Sequence, residues 1–469
     1  MNKLFKNYIY NSFYQVLTII IPLVTTPYLT RHLGSNSLGI STYVLSVVTL
    51  YYTIGSLGID LYSRREVAYS KANNKNLKVV FYELLIARLV LLVLTVICYI
   101  PFVIDNRYRI YYVIHLATLL GLFLDTSWFF IGIEKMKEVV VRNTTVKLIT
   151  TILIFSTIKN SNDLFTYVFI YAISQFISCL IIVPNLHKYL KEYSYGKINI
   201  SKHMRPVFYL FLPQAGSVIY TQFNKIMIGM LSSDISFVTI YEKAYTIINL
   251  PLKFITALST VVLPRTAGLF AKKNYREIKR LLIKILDFTM LIAIPTIIGL
   301  SLVADIFLPF YLGEEYLNSI SVLRILSFAT IAVALSNITG VQYLMAVNKT
   351  KILTFSYIIA AIVNLTLNYV LISFLNANGA AIATAIAEWI VFLIQYHYMC
   401  KKNMSLNIKR MILNRWIPLL VLVIVVQGTR VIFGTSIISG LLQIFLAIIS
   451  YFIALYAIKD ETLMEMIGK

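Results

Sequence analysis

Three ionisable side chains stand deep inside apolar runs of this chain: Lys253, Glu388 and Arg88. A charged group at the middle of a bilayer costs about 2.5–3.5 kcal/mol on insertion scales, so such residues face a cavity or a partner. Asp125, Lys225, Asp287 and Arg324 lie about two helical turns or less from the end of a run. Lysine and arginine in a poorly hydrated cavity complement an anion. Lys253 and Lys225 are the first candidates for that work, followed by Arg31, Arg88 and Arg324. Each has a plainer reading. Lys225 and Arg324 can snorkel outward, Arg31 can anchor the end of the first run at the interface, and Arg88 can pair with Glu83 or Asp287. Asp125 and Glu388 would hold a coupling proton or cation, as intramembrane carboxylates do, or neutralise the cations. Asp60, near Arg64, reads as an ion pair or a latch. Pro22, Pro27, Pro213 and Pro251, with Gly55, Gly58 and Gly216, interrupt the helices that carry these groups. Proline removes a backbone hydrogen bond, so these are hinge candidates. Packing alone is the plainer account of them.

The elements that must position these groups are membrane helices. The chain of 469 residues is 59% hydrophobic and 13% charged, with mean hydropathy +0.78. That excludes a soluble globular domain. Runs of bilayer-spanning length fall near 8–30, 40–62, 79–103, 110–133, 139–158 and 165–186, then 207–231, 237–263, 281–304, 319–346, 352–374 and 378–399, and finally 412–432 and 435–458. The expected fold is therefore all-α and polytopic, with about 14 spans in two six-helix lobes and two C-terminal helices. The lobes are expected at 1–187 and 207–400, joined by a cytoplasmic loop at 188–206 and followed by 401–469.

Charge supports the partition. Most of the 42 Lys and Arg fall in alternate loops, in clusters such as Arg64, Arg65 and Lys71, or Lys272, Lys273, Arg276, Lys279, Arg280 and Lys284. The opposite side has Arg31, Arg107, Arg109, Lys159 and Arg430. Such asymmetry is the positive-inside pattern, and it places both termini in the cytoplasm. The net charge of +22 is thus topological, and no nucleic-acid partner is expected. Tyr51-Tyr52, Tyr111-Tyr112, Trp128 and Trp416 suit interfacial belts. Lys3 and Lys6 precede an apolar run too long for a signal-peptide core, so the first span is expected to stay uncleaved. The three cysteines show no disulfide framework or metal-ligand spacing. The loops are too short for a catalytic domain and hold no phosphate-cradling P-loop; no cofactor is expected.

Leu33-Gly-Ser-Asn-Ser-Leu-Gly-Ile-Ser-Thr-Tyr43 has a fainter copy at Leu231-Ser-Ser-Asp-Ile-Ser-Phe-Val-Thr-Ile-Tyr241. Each is a short polar turn between long apolar runs, so the chain reads as a duplication. Internal repeats in a polytopic protein point to a transporter. Phe123-Leu-Asp-Thr-Ser-Trp-Phe-Phe-Ile-Gly-Ile-Glu-Lys-Met-Lys-Glu-Val-Val-Val-Arg-Asn143 resembles the fourth-helix signature of the Wzx-type oligosaccharide flippases, the polysaccharide transporter branch of the multidrug/oligosaccharidyl-lipid/polysaccharide exporters. Pro27-Tyr-Leu-Thr-Arg-His-Leu-Gly34, Leu263-Pro-Arg265 and Asn378-Gly-Ala-Ala-Ile-Ala-Thr-Ala385 are similar to the same family; its members often carry Gln where Ile131 stands. The resemblance implies two six-helix lobes around a central cavity. It also implies movement of a polyprenyl-pyrophosphate-linked oligosaccharide, for capsule, O-antigen or teichoic acid, from the inner to the outer leaflet of the cell membrane. Membrane lipid and the polymerase or glycosyltransferases of the pathway would be partners. Two rivals differ in chemistry. A cation-coupled multidrug exporter takes organic cations, which Lys225 and Lys253 would repel. A polytopic polymerase or acyltransferase needs a catalytic cluster outside the membrane, and the five histidines are scattered.

Overall fold

A computed structural model describes residues 3–104, 106–191, 196–434 and 436–467; the side chains of 3–13, 15, 209–220, 254–261, 409, 410, 412 and 437 lie outside that description. The described residues are helical, with no strand among them. This is what a bilayer demands, because every backbone group must be satisfied within its own segment. Among the described residues, ten helical stretches are long and apolar enough to cross a membrane, Arg109–Gly132 being counted as one. The protein is a multi-pass membrane protein. The chain forms two compact units, Met1–Ile226 and Met227–Lys469.

The first unit opens with α1 (Lys3–His32), which runs unbroken through Pro22 and Pro27. Then come α2 (Gly34–Ser56), α3 (Ile59–Ala72) and α4 (Leu77–Ile104). The second apolar run is thus two helices, not one. Leu57 and Gly58 both take left-handed backbone, at φ 47° and 78°, and end α2 there. Glycine reaches that conformation without strain. α4 shows how lipid and protein divide a helix. Phe81, Leu84, Ala87, Arg88, Leu91, Thr95 and Tyr99, spaced three and four apart, are buried; Val90, Val93, Leu94 and Ile97 on the other face are exposed. With lipid tails as apolar as leucine, packing and buried polar bonds hold such helices together.

The run expected as one span at 110–133 is three short helices, α5 (Arg109–Ile114), α6 (Leu116–Leu124) and α7 (Ser127–Gly132). Next are α8 (Met136–Thr157), α9 (Leu164–Leu190) and α10 (Ser201–Leu231), inside which the division between the units falls. Trp128, expected at an interface, is 2% exposed and stacks on Phe81 with ring centroids 5.4 Å apart. Tyr112 is likewise buried in the core, whereas Trp416 is exposed as expected.

The second unit holds α11 (Ser236–Ile248), α12 (Leu250–Ala271), α13 (Tyr275–Leu312) and α14 (Ser319–Ser336), the last running on as a π-helical segment at Asn337–Met345. α15 (Thr350–Lys401) bends at Asn376, whose φ 50° and ψ −129° are not helical, so it contains both expected runs at 352–374 and 378–399. At that bend a Cβ on Gly379 would stand 2.3 Å from the Leu371 carbonyl oxygen, a close approach open only to glycine. α16 (Ile408–Asn414), α17 (Trp416–Phe433), α18 (Ile437–Ala457) and α19 (Glu461–Ile467) complete the chain.

Candidate functional site

The break in the fourth apolar run organises the first unit. Asp125 takes ψ 125°, which ends α6. Its Oδ1 then accepts from the Ser127 hydroxyl at 2.8 Å and the Ser127 amide at 3.3 Å, at the start of α7. Aspartate favours this task at a helix start. The break strands carbonyls at the end of α6. Arg88 answers them, with Nε donating to Phe123 O at 2.9 Å and Nη2 to Leu122 O at 3.0 Å. Its Nη1 donates to Asp60 Oδ1 at 2.7 Å, and the Tyr52 hydroxyl donates a short hydrogen bond to the other Asp60 oxygen. Arg88 is 1% exposed, and its guanidinium lies 5.9 Å from the Trp128 ring.

One expectation is corrected here. Arg88 pairs with Asp60 and not with Glu83, and the contacts it makes hold the broken helix. Asp60 is latched by Arg88 and Tyr52, with Arg64 exposed. Arg142, within the quoted motif but not singled out from it, is 7% exposed, ion-paired to Asp125, and donates to the Ser127 hydroxyl at 2.7 Å. Asp125 is therefore charge-balanced by Arg142.

Beside this network, α1, α6, α8 and α9 enclose a cavity of about 410 Å³. Asp125, Arg142 and Lys147 contribute its charges; Tyr167, Tyr171, Thr150, Ser174, Gln175 and Ser178 give it hydroxyl and amide groups beside aromatic rings. Pro22 and Thr25 of α1 line its wall. Such a surface can hydrogen-bond a polyhydroxylated ligand on many sides, and its two cations against one carboxylate favour an anion.

The remaining candidates are dispersed. Arg31 is exposed at the end of α1, and Lys225 is half-buried in α10. Lys253 is exposed in the first turn of α12, directly after the eighth apolar run breaks at Asn249. Pro251 sits at the start of that helix, where its missing N–H is no loss, and so begins a helix instead of kinking one. The side chain of Pro213 lies outside the described residues. Arg324 pairs with Asp305 at 3.6 Å, and Arg430 reaches the same carboxylate at 2.6 Å. Asp287 meets Arg415, not Arg88, at 3.3 Å; Arg415 also grips Asp460 at 2.8 Å, tying α13, α17 and the chain's end together. Glu388 is 6% exposed within α15.

A second cluster escaped the sequence. Glu83, 1% exposed on α4, accepts from the Asn199 amide at 2.8 Å, Lys202 Nζ at 2.7 Å and His203 Nε2 at 3.1 Å. His203 Nδ1 lies 2.7 Å from the Tyr62 hydroxyl on α3. The polar segment before α10 is thereby pinned to the first unit. Only the burial of Glu83 could have signalled this, since a carboxylate in an apolar helix needs partners.

Broken membrane helices around a polar cavity, with buried ion pairs beside it, are the architecture of a membrane transporter. Residues 4–270 match the family described as "polysaccharide biosynthesis protein", and 139–452 match "Lipid II flippase MurJ". The chain belongs to the polysaccharide biosynthesis protein family, as a Wzx-type polysaccharide flippase of the multidrug/oligosaccharidyl-lipid/polysaccharide exporter superfamily, and it is not an enzyme. A protein of Shigella dysenteriae provisionally described as an O-antigen transporter is 27% identical over 324 residues, 68% of this chain and 80% of that one. A protein of Escherichia coli (strain K12), described likewise, is 24% identical over 345 residues, 72% and 82% of the two. In fold, the chain is similar to the lipid II flippase MurJ in an inward closed conformation, with TM-score 0.76, 18% identity, and 97% and 99% of the chains covered. It is also similar to an inward-facing multidrug resistance MATE transporter, with TM-score 0.65, 14% identity, and 83% and 94% covered.

Proposed function

We propose that the protein carries a polyprenyl-pyrophosphate-linked oligosaccharide from the inner to the outer leaflet of the cytoplasmic membrane, for assembly of a cell-surface polysaccharide. The observation that carries this reading is the cavity of the first unit, rich in hydroxyl, amide and tyrosine groups and holding two cations against one carboxylate. Sugars are met by such groups, and a diphosphate by the cations. The Lys and Arg asymmetry supports cytoplasmic termini. The relatives point to an O-antigen type of repeat unit over capsule or teichoic acid. Lobes at 1–187 and 207–400, with Lys253, Lys225 and Arg31 assisting on the diphosphate, belong to the same reading. Asp125 and Glu388 are its coupling or balancing carboxylates.

The rival cation-coupled drug exporter would need a cavity that welcomes organic cations, against the excess of cationic side chains here. Binding separates the two. The purified protein should retain a lipid-pyrophosphate-linked oligosaccharide and ignore tetraphenylphosphonium; the reverse preference would overturn the assignment.

A further inference from the structure

Arg142 lines the cavity of the first unit, but its guanidinium is already engaged. Nε donates to Asn143 Oδ1 at 2.9 Å, and Nη2 donates to the same oxygen at 2.6 Å and to the Ser127 hydroxyl at 2.7 Å. Nη1 donates a short bond to Asp125 Oδ1. Little of the guanidinium's donor capacity is left for a ligand. The Arg142 side chain is 7% exposed, whereas that of Asp125 is 32% exposed and also lines the cavity. A ligand entering the cavity therefore meets more of the carboxylate than of the guanidinium.

Asp125 is itself fixed. Its Oδ1 accepts from the Ser127 amide at 3.3 Å and hydroxyl at 2.8 Å, so it cannot follow Arg142 when that side chain turns toward a ligand. Lys147, further along α8 and over the Tyr14 ring at 5.9 Å, sets the net charge of the cavity while Asp125 cancels Arg142. This arrangement sorts anions by charge. A phosphodiester headgroup carries one negative charge, which Lys147 balances. Taking Arg142 as well would leave the fixed carboxylate without its cation and beside a second anion, a costly state in a poorly hydrated site. A diphosphate carries more charge and enough oxygens to engage Lys147 and Arg142 together. The membrane's own anionic phospholipids are the competitors that such a cavity has to refuse.

We propose that Asp125 determines the selectivity of the cavity: it masks Arg142, so that a lipid-linked diphosphate is accepted and a singly charged phospholipid headgroup is refused. The proposal rests on the transport reading above and adds to it a residue whose charge opposes the ligand. Discrimination is a difference of affinities, and a repulsive group placed against the wrong ligand supplies it as well as an attractive one does for the right ligand.

The test is native mass spectrometry of the delipidated full-length protein, titrated in parallel with a polyprenyl-pyrophosphate-linked oligosaccharide and with phosphatidylglycerol. The wild type should favour the diphosphate. D125N keeps an oxygen for the Ser127 amide and removes the charge; it should gain about tenfold in affinity for phosphatidylglycerol and so narrow the preference. Most of that gain should be lost when D125N/R142Q is compared with R142Q, because no guanidinium is then left to unmask. N143D places a second carboxylate on the same guanidinium and should shift phosphatidylglycerol the other way, a result that does not depend on D125N folding. Ser127→Ala loosens the pair without altering its charge and should leave the preference in place, which separates charge competition from packing. Three outcomes overturn the proposal alone: a wild type that holds both lipids equally, no gain for phosphatidylglycerol in D125N, or the same gain with Arg142 absent. Binding of neither lipid by the wild type would instead overturn the transport reading on which the proposal rests.

Discussion

Arg88 and Asp60, 28 residues apart in sequence, meet at 2.7 Å, and the same guanidinium caps the carbonyls of Leu122 and Phe123 where the fourth apolar run breaks. One buried side chain thus ties the start of α3 and the broken fourth run to α4. Arg88→Ala strands two carbonyls and one carboxylate, and removing one partner of a buried pair costs about 3–5 kcal/mol. A clear fall in thermal unfolding temperature in detergent is expected. Arg88→Lys should recover little of it, because an ammonium cannot span three acceptors in a guanidinium's fork.

Gly58 at φ 78° permits the second break. Gly58→Ala should cost about 1–2 kcal/mol through left-handed strain, read by the same unfolding assay. An unchanged midpoint would mean that the turn relaxes.

The Glu83–His203 contact makes a different kind of prediction. Glu83→Gln weakens three charge-assisted bonds that hold the segment before α10. Lost buried bonds of about 1–3 kcal/mol translate into roughly tenfold faster local opening. Limited trypsinolysis at Lys197 and Lys202 should accelerate accordingly, and an unaltered digest would show that the segment is held by other contacts.

Much of the fold was legible because a bilayer asks one simple thing of a sequence, long apolar runs with charge sorted between the loops. The break at Gly58 and the bend at Asn376 fall where the sequence marked an interruption, but the breaks at Asp125 and Asn249 were not legible. Asp125 ends a helix with neither proline nor glycine beside it, and Asn249 does the same two residues before Pro251, which was read as a kink. The site was half visible. The motif Phe123–Asn143 holds both Asp125 and Arg142, but their pairing depends on the turn between α7 and α8, where Glu134 takes φ 63°. Arg88 was found as a buried charge, yet its partner was sought at the wrong distance along the chain. Pairings between helices are tertiary, and a one-dimensional pattern does not encode them.

Within the cavity, Lys147 is the second cation, its Nζ 5.9 Å from the centre of the Tyr14 ring. Lys147→Glu should lower transport of a diphosphate-linked glycan by about tenfold or more, as expected for replacing attraction by repulsion in a poorly hydrated site. Lys253→Ala should likewise stop translocation while membrane insertion stays normal. Wild-type transport in both variants would remove cationic recognition from the account.

The central claim is leaflet transfer of a lipid-linked oligosaccharide. Its most direct measurement uses liposomes that contain the purified protein and a polyprenyl-pyrophosphate-linked oligosaccharide, with an impermeant sugar-modifying reagent reporting outer-leaflet headgroups. Protein-dependent modification of the half that is protected in empty liposomes is the predicted result. Continued protection of that half, alongside accumulation of a fluorescent organic cation, would contradict the account and place the protein among the drug exporters.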